Sequence, residues 1–139
     1  MHLANNFLFY LLSASLPAWI LATEQRVEVH GQLFCPSNPK KQANVTVKLV
    51  DEDTANPDDK MDEVKTDRNG NFRLAGSASD PTGSIDTVLK IYHDCNDNKP
   101  CQREWEIEIP DRYINKGPMD LGKLNLEMYL PGEGRDCFH

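Results

Sequence analysis

The chain has 139 residues, and its 15 Lys and Arg against 22 Asp and Glu give a formal net charge of −7. This length suits one domain, and 27% charged with 39% hydrophobic residues describes a folding chain rather than a disordered one. The acidic charge argues against electrostatic binding to nucleic acid or to an anionic membrane surface, because both attract clusters of Lys and Arg.

The N-terminal segment has the pattern of a signal peptide. Residues 7–22 (FLFYLLSASLPAWILA) carry no charge, contain Pro17, and form a run shorter than the roughly 20 residues that span a membrane. We expect cleavage after Ala22, which makes residues 1–22 the signal peptide and residues 23–139 the secreted domain. Because no Lys or Arg precedes the run, an uncleaved anchor or a buried N-terminal helix is the alternative. No later stretch is long enough to be a transmembrane segment, so we expect release to the extracellular space.

Apolar residues recur at every second position in several segments, which is typical of half-buried strands. The segments are Val27–Leu33, Val45–Leu49, Phe72–Leu74, Leu89–Ile91, Trp105–Ile109 and Leu124–Met128, with a seventh strand expected at Asp62–Thr66. The spacing of three and four that marks a helix is absent from the sequence. Asn69-Gly70 predicts a tight hairpin, since both residues tolerate positive φ.

Short strands with one apolar face must bury that face against another layer. The sequence therefore predicts an all-β fold, a two-sheet antiparallel β-sandwich of about seven or eight strands. No linker or internal repeat divides residues 23–139.

The expected mature domain has an even number of cysteines, Cys35, Cys95, Cys101 and Cys137, which predicts two disulfides in an oxidising compartment. Four cysteines allow three pairings. Cys95 and Cys101 flank a short loop at the mouth of a predicted hairpin, where facing positions suit a disulfide. We expect Cys95 to pair with Cys101 and Cys35 with Cys137, and two long crossing bridges are the alternative.

Five motifs carry a family resemblance: G-x-L-x-C at 31–35, N-V-x-V-x-L at 44–49, T-D-x-x-G-x-F at 66–72, I-Y-H-x-C at 91–95 and C-x-R at 101–103. With them, about residues 26–130 resemble the nematode transthyretin-like family. The resemblance implies a secreted, disulfide-bonded, prealbumin-type sandwich with an extracellular role. Some members are described as bridging molecules that mark dying cells for engulfment, and others as secreted products of parasitic worms.

The wider group to which this family is related includes carriers and enzymes. Transthyretin carries thyroid hormone, and related 5-hydroxyisourate hydrolases use His and Arg side chains and end in Tyr-Arg-Gly-Ser. This chain ends in Gly-Arg-Asp-Cys-Phe-His, so the resemblance does not carry the hydrolase activity over.

The candidate chemistry of single residues is sparse. His30, His93 and His139 have no metal-pair spacing and no nucleophile motif beside them, so we interpret them as structural or solvated. We therefore predict no catalytic residue, no cofactor and no metal. The sequon Asn44-Val45-Thr46 makes Asn44 a candidate glycosylation site.

Charged and aromatic residues are the remaining candidates for recognition. Calcium could use the carboxylates of the acidic loop 51–63, but their spacing fits no EF-hand, so we expect a solvated loop. Trp105 is expected to point inward, whereas Tyr92 and Tyr129 have outward parity and are candidates for a partner-binding face. The acidic set is Asp51, Glu52, Asp53, Asp58, Asp59, Asp62 and Glu63, and the basic groups interpreted as isolated are Lys40, Lys41, Lys99 and Arg103.

The sequence and the resemblance together favour a secreted, non-enzymatic binding or signalling protein that recognises a receptor, a cell surface or another extracellular protein. The alternatives are a carrier of small hydrophobic ligands and, less favoured, a 5-hydroxyisourate hydrolase. Recognition of membrane lipid is disfavoured by the negative charge and would need a specific pocket or bridging calcium.

Overall fold

The computed structural model describes residues 24–52, 58–81 and 83–139, so the expected signal peptide, its cleavage site after Ala22, and Asp53 lie outside the described residues. The strands are β1 (Gln25–Phe34), β2 (Thr46–Asp51), β3 (Asp59–Lys65), β4 (Asn71–Ala78), β5 (Thr87–His93), β6 (Gln102–Glu108), β7 (Pro118–Asn125) and β8 (Gly134–Asp136). Short 3₁₀ turns occur at Pro39–Gln42 and Asp111–Tyr113.

The strands form two sheets, one in the order β4-β1-β7 and the other in the order β3-β2-β5-β6-β8. This arrangement confirms the predicted all-β, two-sheet sandwich. One pair departs from the expected antiparallel pattern, since β1 and β7 run parallel. The chain leaves β6 in one sheet and crosses to the other before β7, and such a crossing can place parallel strands side by side where a tight turn cannot.

The predicted inward residues make the core between the sheets. Val27, Val29 and Leu33 of β1 are buried, as are Leu89 and Ile91 of β5 in the other sheet. Trp105 on β6 is 1% exposed, which confirms its predicted inward direction. The alternation of apolar residues thus decides which face of each strand enters the core.

The outer face of the five-stranded sheet is partly covered. Tyr92, which the sequence placed among candidate partner-binding residues, is buried, so that prediction is wrong. The ring of His139 stacks on Tyr92 with a centroid distance of 4.0 Å. Parity gave the correct face of the strand but gave no information on the C-terminal segment that folds over it. Tyr129 is exposed, as predicted.

Two strand predictions differ from the structure near the C-terminal end. The predicted strand Leu124–Met128 is displaced, because β7 ends at Asn125 and the Met128 N–H donates to the Asn125 carbonyl in a turn. Leu126 is buried beyond the end of the strand, so the apolar alternation continues into the turn. The three-residue β8 was not predicted, since it carries no apolar alternation.

The Asn69-Gly70 turn forms, but it does not close a hairpin. It joins β3 to β4, which belong to different sheets. The Gly70 N–H donates to the Asp67 carbonyl, and the Gly70 carbonyl accepts from the Leu33 N–H of β1 at 2.8 Å. The predicted hairpin is therefore wrong, because turn residues specify a local reversal and not the partner of the next strand.

We expect Gly70→Ala to lower the free energy of unfolding by about 2 kcal/mol or more, because Gly70 has φ of 83° and an added Cβ would overlap the Leu33 carbonyl. Gly117→Ala is the matched control, since Gly117 has φ of 90° but nothing within 4 Å of its added Cβ. Urea unfolding gives the loss of stability in each variant. The loss in Gly70→Ala combines backbone strain with the overlap with Leu33, whereas the loss in Gly117→Ala comes from backbone strain alone. Equal losses would contradict the close approach of Gly70 to β1.

Candidate functional site

Four polar or partly polar side chains meet inside the sandwich, and we call His93, Arg103, Trp105 and Glu133 the buried polar cluster. His93 and Arg103 face each other across the β5–β6 pair, and Trp105 is two residues further on the same face of β6. Glu133 comes from the segment that precedes β8. The motifs I-Y-H-x-C and C-x-R supply two of the four.

Arg103 is 1% exposed, and every N–H of its guanidinium is hydrogen-bonded. Nη1 donates to the carbonyl oxygens of Cys95 at 2.8 Å and Leu126 at 2.7 Å. Nη2 donates to the Met128 carbonyl at 2.6 Å and to Glu133 Oε1 at 2.7 Å, and Nε donates to Glu133 Oε2 at 2.9 Å. The interpretation of Arg103 as an isolated basic group is therefore wrong. Its odd-numbered parity, shared with Trp105, is the signal that would have placed it inside.

Glu133 is the anion of the cluster. Besides the two bonds from Arg103, its Oε1 accepts from Trp105 Nε1 at 2.6 Å. Burial alone would raise the pKa of Glu133, but the hydrogen bonds from Arg103 and Trp105 hold it below its ordinary value. The cluster thus joins the segment 126–133 to the middle of the five-stranded sheet by charge-assisted bonds.

His93 completes the cluster as a neutral ring. Its Nδ1 accepts the Cys95 N–H at 3.0 Å, so the proton is on Nε2, which has no hydrogen-bond partner in the described part of the chain. The ring meets Trp105 edge to face with centroids 5.4 Å apart. Burial, together with the charge of Arg103, lowers the pKa of His93 to about 4. A buried neutral histidine of this kind orients the backbone and has no route to a substrate.

The other two histidines lie elsewhere. His30 is on the outer face of the three-stranded sheet, in a shallow hollow beside Asn71 and Arg73. His139 lies against Tyr92 on the outer face of the other sheet. The fold therefore does not bring the three histidines into one site.

The cysteine pairing differs from the prediction. Cys35 bonds to Cys95 with a Cα separation of 5.9 Å, and Cys101 bonds to Cys137 with a Cα separation of 4.4 Å. Cys35 continues the inward parity of β1 and Cys95 that of β5, so their side chains meet between the sheets. Cys137 follows Asp136, whose partner on β6 is Gln102, so Cys137 comes opposite Cys101. The expected Cys95–Cys101 and Cys35–Cys137 bridges are wrong because the prediction relied on facing positions at the mouth of one hairpin and did not consider strand parity.

The carboxylates of residues 51–63 disperse to separate partners where the structure describes them. Asp51 accepts the Asp86 N–H, Asp62 accepts the Ala75 N–H, and Asp58 pairs with Lys90. Such dispersal does not make a calcium cage, which gathers six to eight oxygens around one ion.

Other carboxylates converge loosely on the outer face of the five-stranded sheet. Two adjoining hollows of about 230 and 390 Å³ share Glu52, Val88 and Glu108 in their walls. We call this surface the acidic groove, and its further carboxylates are Glu106, Asp86, Asp111 and Glu133, the last of which is already paired with Arg103. Leu130 and Pro131 form one wall, on the segment that Arg103 holds.

The electrostatics of the acidic groove favour a cation. Partial burial and the nearby carboxylates of Glu106 and Asp58 raise the pKa of Glu52. Lys90 is already one such cation, since it pairs with Glu106 of the groove at 3.6 Å and with Asp58 at 3.0 Å. Burial opposes ionisation of Lys90, but the hydrogen bond and charge of Asp58 raise its pKa nevertheless. The buried hydroxyl of Thr87, which also lines the groove, has no hydrogen-bond partner among the described residues.

A metal site is not evident in residues 24–52, 58–81 and 83–139. The one group there whose potential ligand atoms come together is Cys35, Cys95 and Glu127. Both sulfurs are consumed in a disulfide, so the group lacks the thiolates that a metal would need.

Two surface predictions concern single residues. Asn44 is exposed at the start of β2, in a left-handed turn with φ of 58°. Lys40, Lys41 and Lys99 are exposed, as expected for isolated basic groups.

Within the described residues, no helix has the length and hydropathy needed to cross a membrane.

The fold and the buried polar cluster define a class of protein: a small, disulfide-bonded, two-sheet β-sandwich in which His93 and Arg103 are buried and stabilise the core. A family model described as "TTR-52: Transthyretin-like family" matches residues 30–110. The chain belongs to the transthyretin-like family.

Three relatives from Caenorhabditis elegans agree with this assignment. Transthyretin-like protein 5 is 46% identical over 86% of this chain and 89% of its own length. Transthyretin-like protein 46 is 41% identical over 94% of this chain and 76% of its own length, and transthyretin-like protein 33 is 39% identical over 83% of each. A 9R-lipoxygenase structure from Cyanothece, at 22% identity and a TM-score of 0.45, covers 81% of this chain and 17% of its own, a likeness too weak to bear on function.

Arg103→Lys tests whether the cluster stabilises the fold. A lysine cannot reproduce the five-donor fork, so Glu133 and the three carbonyls lose partners, and we expect a loss of about 3–5 kcal/mol in unfolding free energy. Arg112→Lys on the exposed 3₁₀ turn is the control, with an expected change within about 0.5 kcal/mol. Urea unfolding that gives equal changes for both variants would contradict the structural role.

The depressed pKa of His93 predicts a pH dependence with a definite sign. The unfolded chain binds a proton near pH 6.5 and the folded chain only near pH 4, so stability is full above 6.5 and falls as the pH drops towards 4. The slope approaches about 1.4 kcal/mol per pH unit in this window. In His93→Asn the fall between pH 6.5 and 4.5 should disappear, while loss of the Glu133 carboxylate at lower pH persists. An unchanged profile would show that His93 is not the titrating group.

Proposed function

We propose that this transthyretin-like protein is secreted and acts without catalysis, by recognising another extracellular protein, a receptor or a cell surface. The observation that carries the proposal is the combination of a sealed core with a charged surface groove. His93 and Arg103, the side chains most suited to chemistry, are both 1% exposed and occupied by contacts within the protein. The charged groups that the groove offers to a partner are carboxylates.

We infer that the acidic groove is the recognition surface and that its partner is a basic protein segment. Glu52, Glu106 and Glu108 surround the buried Val88, so a cationic side chain gains several carboxylates while its aliphatic stem packs on an apolar floor. A basic peptide satisfies this arrangement better than a single ion, because the carboxylates line a groove rather than surround a point.

The alternatives fit the geometry less well. A carrier of small hydrophobic ligands needs an apolar cavity, whereas carboxylates line both hollows of the groove. A hydrolase needs its His and Arg at a substrate, whereas His30 and His93 belong to different sheets and His93 is enclosed. Bridging of dying cells is one form that recognition of a cell surface could take, and the net charge of −7 opposes the version of it that would use an anionic lipid.

Binding measurements on disulfide-intact protein test this function. We expect immobilised protein to retain a basic partner from an extracellular protein library, with affinity that falls as salt rises. Glu106→Gln with Glu108→Gln should weaken binding of that partner about tenfold or more by removing two charges from the groove. Asp120→Lys alters the net charge equally at an exposed position on β7, in the other sheet, and should leave binding nearly unchanged.

Outcomes that contradict this proposal are specific. An equal loss of partner binding in the groove variant and in the control variant would indicate only a general effect of net charge. Retention of the protein on phosphatidylserine-coated beads, with or without calcium, would favour lipid bridging instead. Saturable uptake of an apolar dye by a dimer would favour the carrier. Turnover of 5-hydroxyisourate that His30→Ala abolishes would establish the hydrolase.

Expression in a eukaryotic secretory cell tests the export steps. We expect the protein in the medium to begin at Thr23 and to lose mass on treatment with an N-glycosidase, because Asn44 is exposed. Thr46→Val should remove the glycan without removing Asn44. Retention of residues 1–22 in cell membranes would show an uncleaved anchor.

A further inference from the structure

The two disulfides differ sharply in environment. Cys35 and Cys95 are both 0% exposed between the sheets. Cys137 is exposed and Cys101 is partly exposed at the margin of the five-stranded sheet. Thiol–disulfide exchange requires an attacking thiolate to reach a sulfur atom. Access to solvent therefore makes Cys101–Cys137 the reactive bond and Cys35–Cys95 the inert one.

We propose that Cys101–Cys137 is a surface site for thiol–disulfide exchange, with an extracellular thiol as its substrate, and that its opening releases residues 134–139, which we call the C-terminal strap. This inference concerns a site distinct from the acidic groove and does not depend on the proposed binding function. The buried Cys35–Cys95 bond stays closed in the same reaction.

The charges around the bond give the exchange a direction. Arg135 donates from Nη2 to the carbonyls of Cys101 at 3.0 Å and Pro100 at 2.7 Å. A guanidinium beside a cysteine stabilises its thiolate, which makes Cys101 the better leaving group. Asp97, paired with Arg135 at 2.9 Å, moderates this effect. Cys137, the more exposed residue of the two, then supplies the sulfur that is attacked.

The chemical steps balance with a thiol as the only reductant. The incoming thiolate forms a bond to Cys137 Sγ, the Cys101–Cys137 bond breaks, and its electron pair leaves on Cys101 as a thiolate that takes a proton from water. A second thiolate then attacks the external sulfur of the mixed disulfide and releases Cys137. Two thiols become one external disulfide, and the protein gains two thiols.

Besides this bond, the C-terminal strap is held by the exposed Arg135, through its ion pair with Asp97 and its hydrogen bonds to Pro100 and Cys101, and by a short strand. Its strand β8 pairs with β6 over three residues only, from Gln102↔Asp136 to Glu104↔Gly134. His139 lies on Tyr92, whereas Phe138 between it and the disulfide is 94% exposed. Cys101 has φ of 67°, a region unfavourable for a residue with a Cβ, so opening the bond also frees its backbone to relax.

Release would change the surface without unfolding the core. It would uncover the Tyr92 ring and free the edge of β6 along Gln102–Glu104. The Arg103 contacts to Cys95, Leu126, Met128 and Glu133 all lie before residue 134 and would persist. An opened molecule is therefore a folded protein with a new strand edge, which is a surface suited to pairing.

Reaction of the intact protein with reduced glutathione, followed by alkylation and peptide mapping, tests the proposal. Cys101 and Cys137 should react at least tenfold faster than Cys35 and Cys95, and the first adduct should carry glutathione on Cys137. Hydrogen exchange should rise in residues 102–104 and 134–139 and stay unchanged around Trp105. Arg135→Gln should slow the first step several-fold.

The double variant Cys101→Ser with Cys137→Ser lacks this disulfide without any reductant, so it replaces the reduced protein in the test if that protein precipitates. This variant should show the same exchange pattern without any reductant and should remain folded, with native Trp105 fluorescence. The proposal is overturned if both disulfides reduce together, if Cys35–Cys95 reduces first, if glutathione is found on Cys101, or if the C-terminal strap stays protected after the bond opens.

Discussion

The structure depends on one buried cation. Arg103 lies among the buried apolar residues of the core, and burial of an unpaired guanidinium would cost several kcal/mol. That cost is offset because all five N–H groups find acceptors, with Glu133 contributing a two-pronged ion pair. Since the acceptors come from the end of β5, the turn after β7 and the segment before β8, a single side chain fixes how three parts of the chain meet.

The surface features follow from this constraint. The segment that Arg103 holds supplies Leu130 and Pro131 as a wall of the acidic groove. The same segment leads into β8, which brings Cys137 opposite Cys101. Glu133 belongs to both features, because it pairs with Arg103 and also lines the acidic groove. The buried polar cluster therefore fixes the shape of that part of the surface.

The sequence predicts the two sheets well because each strand buries one face, and that burial imposes an alternation of apolar and polar residues along the strand. It predicts the inward direction of Trp105, and the same rule applied to Arg103, Cys35 and Cys95 would have given the cluster and the inter-sheet disulfide. The charge of Arg103 and the hairpin geometry expected for Cys95 and Cys101 outweighed parity in the predictions for those positions, and both errors follow from that weighting. Glu133 was beyond such reasoning, because no local pattern indicates which distant carboxylate pairs with a buried arginine.

Proton exchange at the Arg103 side chain is the most direct measurement of the central claim. NMR of uniformly ¹⁵N-labelled protein resolves the Nε–H resonances of arginines, and an Arg103→Lys variant assigns this one by its disappearance. We predict that the Arg103 Nε–H exchanges with solvent orders of magnitude more slowly than that of the exposed Arg112. Exchange of both at the same rate would show that Arg103 is not enclosed, and would contradict the dependence of the fold on this buried cation.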